Sequence, residues 1–262
     1  MNSKMADFLG DPKFPNKAMD SRGLQIRYFQ ELYKQYSRLE FTHIQDKPFA
    51  IAGMESRLCK AYQVKGAYGV FDDGPGNGLF HRSLLWRRGE SEPLPGLSAI
   101  IFPPTSGIRI PSWSWMAYRG SIDYLDPPFE KTVWEEKDIS PPWTRVGGRG
   151  HAVETTDRDA NIELVATARN YNVAGCSIGE VKLIYDTERT RSDGDSSRVQ
   201  CVIVAKSKEA GTDKDRMHYV IIVVSTNAKG AGGDPVYKRV GAGYMLGKYI
   251  VLDEPGTPMR IH

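Results

Sequence analysis

VQCVIVA (Val199–Ala205) and HYVIIVVS (His218–Ser225) are apolar runs of strand length, rich in the β-branched residues that suit a pleated sheet. Two further runs precede them, Asn161 to Ala168 and Glu180 to Tyr185, and Gly, Asp, Ser and Lys clusters separate all four. No stretch between them carries the helical repeat that a parallel crossover needs, so the pattern predicts an antiparallel sheet, folded as a sandwich or a partly open barrel. Tyr237 to Tyr244 and then Ile250-Val251-Leu252 are expected to supply the last strands.

Upstream the character changes. Prolines at 127, 128, 141 and 142 separate the β-rich part from a region with helical spacing. Leu24, Tyr28, Leu32 and Tyr36 recur every four residues and predict a helix from Arg22 to about Leu39. A second helix is expected to start at Asp46 as its N-cap, with Pro48 tolerated in the first turn and Gly53 permitting close packing. Residues 66–78, GAYGVFDDGPGNG, are rich in turn formers, and the following Leu79, Phe80, Leu84, Leu85 and Trp86 must be buried. The expected fold class is therefore α+β. It comprises a flexible arm over residues 1–21, a mainly helical part over 22–110 and a β-rich part over 111–262, with the last two packed as one unit.

The charge balance, 35 Lys plus Arg against 32 Asp plus Glu, is too even to suggest nucleic acid as a partner, and pairs such as Arg87-Arg88 or Arg145 with Arg149 are too isolated. No apolar run reaches the roughly 18 residues that span a bilayer, and Met1 to Gly10 lacks a signal-peptide layout. A soluble, cytoplasmic chain with no membrane partner is expected. Three widely spaced cysteines, Cys59, Cys176 and Cys201, predict reduced thiols, with Cys201 in the core and Cys59 more exposed at a helix end.

Chemistry is sought first in PSWSW (Pro111–Trp115), where alternation places both indoles on one face of a strand and Ser112 and Ser114 on the other. A buried aromatic core is one reading, with Trp86, Trp134 and Trp143 joining the cluster. A ligand cleft is the other, with Trp113 and Trp115 as walls and Arg119 and Asp123 as polar partners. Elsewhere the residues argue against a cofactor. GAGYMLG (Gly241–Gly247) has the spacing of some dinucleotide loops but no following helix and acid, so a turn or bulge is expected. In the Gly74–Gly78 loop Pro75 removes a phosphate-binding N–H. His43, His81, His151, His218 and His262 show no metal-ligand spacing, and no nucleophile elbow is present.

Four blocks, taken in order, resemble the region C-terminal to the effector domain in fungal heterokaryon-incompatibility (HET) proteins. They are Tyr36-Ser37-Arg38 leading to Asp46–Gly53; Tyr68–Phe71 with Leu84-Leu85-Trp86; Pro111–Ala117 with Gly120-Ser121-Ile122; and Tyr237–Gly243. Val70-Phe71 stands where the family usually has Leu-Trp, a swap that keeps apolar volume. The family's effector domain carries a SYCWG-like strand and a DAICINQ-like helix, neither of which occurs here, so its NAD-hydrolysing chemistry has no residues in this chain to carry it. The resemblance implies a non-catalytic regulatory or recognition module with a protein partner and no cofactor or metal. An enzyme or small-molecule binder of fungal secondary metabolism, built on an aromatic pocket at Trp113 and Trp115, is the alternative.

Overall fold

The computed structural model describes residues 22–90, 96–145, 163–187, 199–230 and 233–262. The arm expected over 1–21, Arg149, His151, the Asn161 end of the first predicted strand and the side chain of Leu24 lie outside them. The architecture is α+β, with short helices in the N-terminal part and a large, mostly antiparallel sheet beyond it.

Helix α1 (Arg22–Ser37) buries Ile26, Phe29, Leu32 and Tyr33, while Tyr28 and Tyr36 are only partly covered. The four-residue spacing read from the sequence drifts around the helix by about 40° at each step, whereas Ile26, Phe29 and Tyr33 stay within one narrow sector. The second helix is split. A 3-10 turn (Ile44–Asp46) runs directly into α2 (Lys47–Ala50), and α3 (Ala52–Tyr62) follows across the buried Ile51. Asp46 does precede the first turn, but its backbone is already helical (φ −75°, ψ −17°) and its side chain makes no capping hydrogen bond. Capping needs an extended N-cap backbone, which the preceding 3-10 turn denies it. Gly53 is exposed, and a Cβ there would meet nothing within 4 Å, so close packing does not explain it. Cys59 lies inside α3 and is buried, contrary to its expected exposure.

The turn-rich segment holds a hairpin, β1 (Lys65–Ala67) and β2 (Val70–Asp72), joined by Tyr68 and Gly69 at φ +54° and +79°. Two left-handed residues in succession match the twist of paired strands. Helix α4 (Leu79–Leu84) is wholly buried against β2 and leads into β3 (Trp86–Arg88). Three short strands come next: β4 (Ser98–Ala99), β5 (Tyr118–Arg119) and β6 (Ile122–Tyr124). The main sheet comprises β7 (Thr132–Trp134), β8 (Ile139–Ser140), β9 (Leu164–Ala168), β10 (Val181–Tyr185), β11 (Val199–Ser207), β12 (Met217–Lys229), β13 (Pro235–Leu246) and β14 (Thr257–Ile261).

Its order is β7-β11-β12-β13-β14-β9-β8, with β10 also on β13. Beyond β9, Arg169 forms an antiparallel bridge with Cys201 of β11, which curls the sheet into a partly open barrel. One pairing departs from the antiparallel expectation: β13 and β14 run parallel over Val236↔Arg260 and Tyr237↔Ile261. So short a ladder needs no helical crossover, and residues 247–256 make the return. The final strand is accordingly Thr257–Ile261. Ile250 forms a single bridge to Tyr171.

Alternate residues of the opening runs reach different cores. Val202, Val204, Ile221 and Val223 pack with Phe80, Leu84, Leu85, Trp113 and Trp143, whereas Cys201, Ile203, Val220 and Ile222 pack with Val240, Met245 and Ile250. Burial on both faces accounts for the unbroken apolar character of these strands. The first of these cores draws on both sides of position 111. No described helix is long and apolar enough to cross a membrane.

Candidate functional site

PSWSW is not a strand. Pro111 to Ser114 form a turn closed by the Ser114 N–H on the Pro111 carbonyl (2.9 Å), and Trp115–Ala117 form a 3-10 helix. Ser114 explains the change: its Oγ accepts from the Met116 N–H at 3.1 Å and donates to the Tyr68 carbonyl at 2.7 Å. A serine that bonds the backbone two residues on favours a cap over an extended ladder. The indoles consequently diverge. Trp113 enters the core under the sheet with Trp143, and Trp115 enters a separate cluster with Phe29, Tyr33, Phe71 and Trp86. Both are fully buried. Trp134 is half-buried and stacks on His81, so the five tryptophans do not form one cluster.

The expected polar partners lie elsewhere. Arg119 is exposed on β5. Asp123, on β6, pairs with Lys34 at 3.1 Å and Arg87 at 3.3 Å. Burial raises its carboxyl pKa, but the Tyr124 N–H and the two cations outweigh this and hold it below the usual value. Trp113, Trp115, Arg119 and Asp123 are therefore not gathered around one cleft.

The tertiary structure instead assembles buried polar groups to which the sequence draws little attention. Arg239 and Asp186 form an ion pair shielded from solvent (Nε to Oδ2 3.2 Å), and Arg239 also donates to the carbonyls of Leu84 and Trp86. The Arg239 N–H donates to Ser112 Oγ at 3.0 Å, and that hydroxyl donates to the His262 carbonyl. Burial pushes the Asp186 carboxyl up, with Arg239 partly offsetting it. The sequence signal for Arg239 was only its place in the fourth block, since an arginine in a strand usually faces water.

Around Trp115 lie two further buried charges. Lys47 sits with its Nζ 5.1 Å from the indole centroid and donates to the Tyr118 carbonyl at 2.7 Å; burial lowers its pKa to about 8. Glu55 accepts from the Gly69 N–H at 2.6 Å and from the Tyr33 hydroxyl at 3.4 Å; burial raises its pKa to about 7, against these hydrogen bonds. Strongly shifted groups can serve acid–base chemistry, but they also mark structural networks. Here both are packed within the core.

Gly241 to Leu246 are strand rather than a turn, Gly247 opens a 3-10 helix, and a bulge falls just before the run, with Val240 the extra residue opposite Ile222 and Val223. Gly241 and Gly243 lie so close to the β10 backbone that a Cβ would fall 2.6 Å from the Ile184 oxygen and 2.1 Å from that of Lys182. Among the described residues, no group of three or more His, Cys, Asp or Glu side chains could hold a metal ion. Comparison with protein-family models, curated proteins and solved structures found no match.

Proposed function

We propose that this chain is a non-catalytic recognition or regulatory module of the kind that follows the effector domain in fungal HET proteins, acting through a protein partner. The observation that carries the reading is the meeting of all four resembling blocks around PSWSW. Tyr36 and Lys47 of the first block pack on Trp115. Tyr68 and Gly69 of the second abut Ser114 and Trp115, and Trp86 donates its indole N–H to the Trp113 carbonyl at 2.8 Å. Arg239 of the fourth reaches Ser112, Leu84 and Trp86. Residues that recur in order because they pack together are a signature of fold, and indoles committed to two buried clusters are not free to line a ligand cleft.

The test is direct binding of the purified chain to a HET effector-domain protein, measured by calorimetry, with NAD turnover assayed in parallel. Binding without turnover by the chain alone is expected. Failure to bind, or turnover by the isolated chain, would overturn the proposal.

A further inference from the structure

We infer that the free edge of β10 is a self-association site, to which a second copy of this chain adds its own β10, antiparallel, across a two-fold axis at Leu183. β10 pairs with β13 along one side, and no other described strand pairs with its far side. The hydrogen bonds at the two ends of that ladder fix which residues face outward. The Leu246 N–H donates to the Glu180 carbonyl at 3.0 Å and the Asp186 N–H to the Val240 carbonyl at 2.8 Å, so the even-numbered residues of β10 bond β13. Val181, Leu183 and Tyr185 therefore turn both N–H and C=O away from β13, as alternate residues of an antiparallel strand must. Such a row is a template for a further strand.

A second copy fits this row. With Leu183 on the axis, Val181 falls opposite the partner's Tyr185 and Tyr185 opposite the partner's Val181, so each outward N–H meets an outward carbonyl. The side chains agree. Val181, Leu183 and Tyr185 pack on the sheet face of Cys201, Ile203, Val220 and Ile222, where they are only partly covered, and pairing carries that apolar face from one copy into the next.

Charges do not oppose the pairing. Lys182, the residue that would guard an edge, projects from the opposite face, is held by Glu90 at 2.8 Å and falls opposite the partner's Ile184. Beyond the ladder Glu180 approaches the partner's Asp186, but within each copy Lys248 pairs with Glu180 at 2.6 Å and Arg239 with Asp186 at 3.2 Å. This inference stands apart from the HET reading and holds whatever the module recognises.

A contact this small implies a dissociation constant on the order of 100 µM. Sedimentation equilibrium and amide hydrogen exchange on the intact chain, both at about 10 µM and about 1 mM, test it by mass action. Exchange at Val181, Leu183 and Tyr185 is expected to slow about four-fold at the higher concentration as dimer forms, while Lys182 and Ile184, already bonded to β13, stay unchanged. Leu183→Glu sets two carboxylates against each other across the axis and should sediment as monomer at both concentrations. A native chain that is monomeric at about 1 mM would overturn the proposal. So would a dimer that leaves these three amides unprotected, a Leu183→Glu chain that still dimerises, or protection of the three amides in the monomer, which would mean that the chain covers its own edge. Protection that appears only when an effector-domain protein is added would assign the edge to a foreign strand and overturn self-pairing.

Discussion

The guanidinium of Arg239 lies across the face of Trp86, 3.4 Å from the ring centroid, while two of its nitrogens bond the Leu84 and Trp86 carbonyls and a third bonds Asp186. One side chain from the middle of β13 thereby fixes the end of α4, the start of β3 and the residue that follows β10. Breaking a buried pair from one side leaves an uncompensated charge, so Arg239→Ala should cost about 3–5 kcal/mol in urea denaturation. The double change Arg239→Met with Asp186→Leu should recover part of that loss. A single-variant cost below about 1 kcal/mol would show that the pin is dispensable.

Two glycines make a contrasting pair. Gly69 has φ +79° and faces the Trp115 indole, so Gly69→Ala combines backbone strain with overpacking and should lower stability by about 1–3 kcal/mol. Gly53 is exposed within α3 with open space around it, and Gly53→Ala should raise stability by up to about 1 kcal/mol. Thermal melts of both variants check the signs.

Lys47 gives a pH dependence of defined sign. Its folded-state pKa is about 8, against an unfolded value near 10.4, so between these values the unfolded chain binds more protons and stability rises with pH. Below about pH 8 both states hold the proton and the cost of burying the charge is constant. Between pH 7.5 and 9.5 the native chain should gain about 2 kcal/mol relative to Lys47→Met, a comparison that cancels the tyrosines common to both. Parallel stability profiles for the two proteins would exclude Lys47 as the group responsible.

Thiol reactivity should separate the cysteines. Cys176 is exposed, whereas Cys59 and Cys201 are buried and have pKa values pushed up to about 12 by that burial. Ellman's reagent is expected to titrate one thiol quickly in the native protein and the other two only on unfolding. Fast reaction of all three would mean that α3 or β11 opens readily.

The α+β class and the strands around VQCVIVA and HYVIIVVS were legible in the sequence because β-branched runs and turn residues act locally, through backbone preference and the need to bury apolar surface. Burial of Leu79 to Trp86 and of Cys201 followed from the same composition. The conformation of PSWSW was not legible, because alternation suggests a strand until the Ser114 hydroxyl finds the Met116 N–H and the Tyr68 carbonyl, the latter 46 residues away in sequence. Nor was the parallel pairing of β13 with β14, which depends on where a ten-residue return lands. The fates of Lys47, Glu55, Asp186 and Arg239 belong to tertiary structure alone. A charged side chain reads as surface in a sequence, and only the packing around it decides whether its hydration is replaced by a carbonyl, an indole face, a peptide N–H or an opposite charge.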